Sequence, residues 1–128
     1  MSLNRPYADI DELPKVLPLF PLSGAILLPR GELPLNVFEP RYLAMVDDAI
    51  ASTRLIGMIQ PLPGDETVGD ATQLYDVGCA GRITRLAETG DGRYLITLTG
   101  VARFRVLEEL RVRTPYRQCR AGYDEFME

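Results

Sequence analysis

The 128 residues are 46% hydrophobic and 25% charged, with a formal net charge of -4 and a pI of about 4.9. That composition suits one compact domain whose core needs no disulfide or metal staple, and the acidic balance argues against nucleic acid or an anionic membrane as partner. Histidine is absent and Lys15 is the only lysine, which excludes Ser-His-Asp and Cys-His nucleophiles, histidine-ligated zinc and a P-loop.

Met1 to Glu12 is polar, lacks the apolar stretch of a secretory signal, and reads as an arm with little structure of its own. Lys15 to Phe20 reads as a short strand that Pro14, Pro18 and Pro21 confine to a sheet edge or an irregular stretch. After a turn at Ser23-Gly24, Ala25 to Leu28 forms a brief apolar run stopped by Pro29-Arg30-Gly31. Glu32 to Phe38 alternates Leu33, Leu35 and Val37 against Glu32, Pro34 and Asn36, the pattern of a half-buried strand. Pro40 then suits the first position of a helix, where its missing N–H costs nothing. Tyr42, Val46, Ala49 and Ile50, with Leu43, form one apolar stripe along that helix, which ends near Ser52.

Leu55 to Ile59 is almost continuously apolar and reads as a strand covered on both faces. Pro61 to Gln73 reads as a polar connection. Leu74 to Glu88 reads as one long strand, bent at Gly78 or Gly81. Gly90-Asp91-Gly92 marks a hairpin into Arg93 to Thr99. Gly100 separates it from a further strand, Val101 to Leu110, and a last strand spans Tyr116 to Ala121. Cys79 and Cys119 fall in strand-like segments and read as buried thiols of a cytoplasmic protein; the spacing leaves a disulfide open, although no secretory signal points to an oxidising compartment. Six or seven short strands with one helix predict a mainly β fold, a closed or nearly closed barrel.

Four motifs in this order resemble the N-terminal, substrate-binding domain of Lon proteases. They are Leu-Pro-Leu-Phe-Pro-Leu from Leu17, then Leu-Leu-Pro-Arg-Gly-Glu-Leu-Pro-Leu leading to Phe38-Glu39-Pro40-Arg41-Tyr42. Val77-Gly78 through Gly81 and Ile83 and the run Gly100-Val101-Ala102-Arg103-Phe104 complete the set. The FEPRY variant is most similar to stand-alone bacterial Lon-domain proteins. The resemblance implies a PUA-like pseudo-barrel over residues 13–121, with residues 122–128 the start of a helical part. It also implies recognition of unfolded or tagged client proteins, work beside a protease or chaperone, and none of Lon's ATPase or Ser-Lys peptidase. A Ser-Lys dyad here would have to recruit Lys15 with Ser2, Ser23 or Ser52, and the spacing does not support it.

The sequence therefore reads as a non-catalytic protein-binding module with no cofactor, no metal and no membrane partner. Leu27, Leu28 and Leu62, apolar residues beside irregular loops, are the candidates for contacting clients. Gly31, Pro34, Glu39, Pro40, Arg41, Gly78 and Arg103 carry the family pattern and read as architectural, with Glu39 and Arg41 pairing or capping at the helix start. The alternative from another class is an RNA-binding PUA-like module using Arg103, Arg105, Arg111, Arg113, Arg117 and Arg120. Against it stands a solvated strand face balanced by Glu108 and Glu109.

Overall fold

The computed structural model describes residues 13–63 and 72–126. The arm expected at Met1 to Glu12, the middle of the Pro61 to Gln73 connection and the last two residues lie outside the described residues. Six strands and one helix follow in the order β1 (Val16–Pro21), β2 (Glu32–Val37), α1 (Pro40–Ile50), β3 (Leu55–Ile59), β4 (Val77–Glu88), β5 (Tyr94–Glu109) and β6 (Gln118–Gly122), before a short 3-10 turn at Asp124–Phe126. The sheet order is β2-β5-β4-β3-β1-β6, and β6 pairs with β5 as well. That last pairing closes five strands into a hydrogen-bonded circuit, with β2 attached outside it. The mainly β class with a single helix is the one expected.

β5 is one strand of 16 residues rather than the two expected on either side of Gly100. Gly100 bends the strand instead of ending it. Ala80 pairs with Ala102 but Gly81 with Gly100, so Val101 is an extra residue and the ladder kinks there. Of the two bend positions expected on β4, Gly81 is the one opposite this irregularity. Along its other edge, β5 pairs with β2 through Tyr94 to Thr99 and with β6 through Arg105 to Glu109. One long strand thus carries both the attached edge and the closure.

Three prolines crowd β1, yet it lies between β6 and β3 in the sheet order, not at an end. The pairing shows why this is tolerated. Val16, Leu17 and Pro18 register against β6, whereas Leu19, Phe20 and Pro21 register in parallel against β3. Each half of the strand therefore has one partner, so a proline N–H is missing only from an edge that carries no ladder. β4 begins at Val77, three residues later than expected. Leu74 instead forms an isolated bridge with Pro61, and the Tyr75 N–H donates to the Gln60 carbonyl at 3.0 Å. The last strand likewise starts at Gln118, because Tyr116 serves another contact.

That contact is with α1. Tyr116 donates its hydroxyl to Asp48, and Tyr94 donates to Asp47 at 2.6 Å, so the polar face of the helix is tied to the sheet from two sides. Its apolar face buries Tyr42, Met45, Val46 and Ala49, with Leu43 and Ile50 at the margins. Phe20 of β1 stacks on Tyr42 with ring centroids 4.3 Å apart. Every residue of β3 is buried, as the continuous apolar run predicts. Ile56 and Met58 join the cluster with the helix, while Leu55 and Ile59 join a second cluster with Leu17, Leu19 and Phe104.

Candidate protein-binding site

The site is built on a turn. Leu28-Pro29-Arg30-Gly31 closes with the Gly31 N–H donating to the Leu28 carbonyl at 2.8 Å, and Arg30 takes φ 69°. Proline second and a left-handed residue third define a type II turn, with arginine where glycine is usual. Two further bonds clamp the turn to the bend in β5. The Arg30 N–H donates to the Gly100 carbonyl and the Gly100 N–H to the Gly31 carbonyl, both at 2.8 Å. A Cβ on residue 100 would fall on the Leu28 carbonyl and lie 3.1 Å from Pro29 Cα, so only glycine permits this approach.

Leading into the turn, Ala25 to Leu28 belongs to no strand. Its side chains alternate: Ile26 and Leu28 are 64% and 55% exposed, and Leu27 between them is buried at 6%. Among the described residues, no backbone hydrogen bond engages Ala25, Ile26 or Leu27. This segment forms one wall of a groove of about 180 Å³. Met58 to Gln60 and Val77 to Cys79 form the floor, and Arg103 forms the far rim. Phe20, Met58, Cys79 and Arg103 register side by side across β1, β3, β4 and β5. The row runs from three buried side chains to an exposed guanidinium.

Of the candidates for contacting clients, Leu28 is exposed at the groove. Leu27 is not: it turns inward, and its Cδ2 lies 2.7 Å from where a Cβ on Gly81 would be. Leu62 is half-buried two residues beyond Gln60, its N–H donating to the Gln73 carbonyl at 2.9 Å. Ile26 was missed by the sequence reading, although period-two alternation puts it on the face of Leu28 and opposite Leu27. Cys79 and Cys119 are free and buried, and burial pushes their thiols up to about 11 and about 12 respectively, so neither is a nucleophile at neutral pH.

Pro34 lies on β2, the strand at the open end of the sheet, where its missing N–H costs no ladder bond. Pro40 opens α1 and Glu39 is its N-cap, but the Glu39 side chain makes no capping bond. It sits 3.6 Å from the Arg41 Nε, so the pairing expected is present and the capping is not. The Gly78 backbone forms part of the groove floor.

The arginine series does not make one basic face. Arg117 forms a two-pronged pair with Glu109, both bonds 2.7 Å, and also donates to the Thr72 carbonyl. Arg120 faces Glu108 at 3.6 Å. Arg105 donates to Glu125 through Nε and Nη2, and these bonds hold the Glu125 carboxyl below its ordinary range. Arg111 and Arg113 are exposed on the connection between β5 and β6. Three of the six are thus neutralised locally, and nothing supports the RNA-binding alternative. Among the described residues, no cluster of three or more Cys, Asp or Glu could hold a metal, and no helix is long and apolar enough to cross a membrane.

The model of the family described as the ATP-dependent protease La (LON) substrate-binding domain matches residues 16–126. The chain belongs to this family. Among its relatives, the Lon protease of Anaeromyxobacter dehalogenans and Lon protease 2 of Myxococcus xanthus are each 34% identical over 110 residues, covering 86% of this chain and 13% of theirs. The chain thus spans about an eighth of the length of these relatives. The crystal structure of a Lon N-terminal domain protein from Xanthomonas campestris is similar with a TM-score of 0.68 at 30% identity, over 84% of this chain and 59% of that one. The N-terminal domain of a Mycobacterium avium complex Lon protease shares the fold at 14% identity, with a TM-score of 0.66 over 85% of this chain and 54% of that one.

Proposed function

We propose that this Lon substrate-binding domain captures extended apolar segments of unfolded client proteins in the groove between Ala25–Leu28 and the β3–β4 floor, without ATP and without chemistry of its own. The observation that carries this is the outward pair Ile26 and Leu28, held at 64% and 55% exposure by a turn clamped through backbone bonds to β5. Exposed apolar side chains grouped beside a groove mark a surface for protein interaction. Most of the floor lies on the paired strands β3 and β4, so the energetic cost of ordering falls mainly on the client. Cooperation with a protease, which the names of the relatives suggest, belongs to the same proposal.

Binding of a reduced, carboxymethylated protein tests it. Replacing both Ile26→Ser and Leu28→Ser removes two exposed apolar side chains and is expected to weaken capture by about tenfold or more. Because both residues are exposed, the variant folds as the parent does. Unchanged capture would place the site elsewhere.

A further inference from the structure

Arg103 marks one end of the groove, and like Arg85 on β4 it has no acidic partner among the described residues, but of these two only Arg103 lines the groove. Arg105, Arg117 and Arg120 each meet a glutamate, and Arg93 on the hairpin meets Asp91. Arg103 has no ion-pair partner among the described residues, although it stands on the same strand as Arg105. The groove it borders has no acidic residue in its lining, in a chain that carries 18 acidic residues against 14 basic ones. An unmatched cation beside an apolar channel is complementary to a carboxylate at the end of an apolar segment.

The size of the groove narrows the choice of ligand. About 180 Å³ is room for little more than one large side chain, given that a cavity of roughly 150 Å³ takes a benzene. A terminal residue brings its side chain and its carboxylate into that space together. A chain running through would have to place both from different residues. The neighbouring wall adds directionality. Ala25, Ile26 and Leu27 have no backbone bond among the described residues, so an extended peptide can add alongside them as a strand does at a sheet edge.

Resting on the capture reading above, we propose that the groove takes the C-terminal end of an extended apolar chain, laid along Ala25–Leu28 with its terminal carboxylate paired to Arg103. The free C-terminus is then the feature that distinguishes a preferred client from any other unfolded chain.

The test uses fluorescence anisotropy of the whole chain with a labelled hexapeptide, apolar at alternate positions and ending in leucine, made as the free acid and as the carboxamide. The free acid is expected to bind about tenfold more tightly, the size of a charge-assisted hydrogen bond. That preference should vanish in Arg103→Gln and persist in Arg111→Gln, whose side chain is exposed outside the groove. Equal binding of acid and amide by the parent overturns the proposal. So does a C-terminally blocked peptide with an internal glutamate that binds as well as the free acid, or a dimer of this chain that excludes the peptide. In each of those cases, retained capture of the carboxymethylated protein leaves the broader reading standing; loss of both removes the two together.

Discussion

Phe104 is fully buried, and the space its ring occupies explains two glycines. A Cβ on Gly57 or on Gly78 would lie 2.9 Å from its Cζ, and on Gly78 it would also fall on the Met58 carbonyl oxygen. Neither the ring, locked among core side chains, nor the β3 backbone can yield cheaply. Gly78→Ala is therefore expected to cost about 1–3 kcal/mol or more, the usual range for an overpacked core. Gly90→Ala, with open space around its Cβ, should stay within about 0.5 kcal/mol. Urea midpoints of the two variants decide it, and similar values would mean that Phe104 can move aside. The thiols argue at the same scale. Cys79 and Cys119 keep their protons in the fold up to about 11 and about 12, whereas the unfolded chain loses them near 9.0. The unfolded state then binds fewer protons between those values, so stability is intact below pH 9 and falls as pH rises towards 11. The slope should stay under about 1.4 kcal/mol per pH unit for each thiol. Urea denaturation from pH 8 to pH 10.5 measures it, with a flat profile the contrary result, and Ellman's reagent should find both thiols unreactive until the chain unfolds.

The turn at Leu28 to Gly31 shows how one element positions another. Its backbone hydrogen bonds to β5, among the described residues, all run through Gly100, so the presentation of Ile26 and Leu28 depends on a residue that offers no side chain. Gly100→Ala should displace the turn and weaken client capture more than its loss of stability explains, read as binding at a temperature where parent and variant are both fully folded. Capture equal to the parent's would show that the groove does not need the clamp. The sequence displayed part of this arrangement and hid the rest. Pro29 and Gly31 announced a turn, the alternation of Glu32 to Val37 announced a half-buried strand, and the run Leu55 to Ile59 announced a doubly covered one. Each of those signals is local. Gly100 looked like a strand break because its partner, the turn about seventy residues earlier, is invisible to any local pattern. The prolines of β1 suggested an edge for a sound reason, since a change of partner after Pro18 gives each half of that strand an edge. Leu27 was misplaced because an apolar run of four gives no phase until its contact with Gly81 supplies one. The pairing of the arginines with Glu108, Glu109 and Glu125 was half visible, Glu125 being out of reach of any spacing rule.

Across the molecule, the apolar interior divides into two clusters that share the same sheet. One gathers around α1 and includes Met45, Ile56 and Leu98; the other includes Leu17, Leu55 and Phe104 on strands β1, β3 and β5. Two clusters in one chain can melt separately when few contacts join them. Here β3 sends alternate side chains to each, β1 supplies Phe20 to one and Leu17 and Leu19 to the other, and β5 does the same with Ile96 and Phe104. Unzipping either cluster would break ladders that the other depends on, including the β5–β6 closure. The expected behaviour is thus a single cooperative transition. Met45→Ala in the first cluster and Leu17→Ala in the second, both at 0% exposure, should each lower stability by roughly 2–5 kcal/mol. Each should shift the one midpoint seen by far-UV circular dichroism and by tyrosine fluorescence, tryptophan being absent. A variant in which the two probes separate would show instead that the helix side of the sheet can open while the strand circuit holds. In that case the groove, whose floor draws Met58 and Cys79 from the helix-side cluster and Ile59 from the other, would come apart before the fold does.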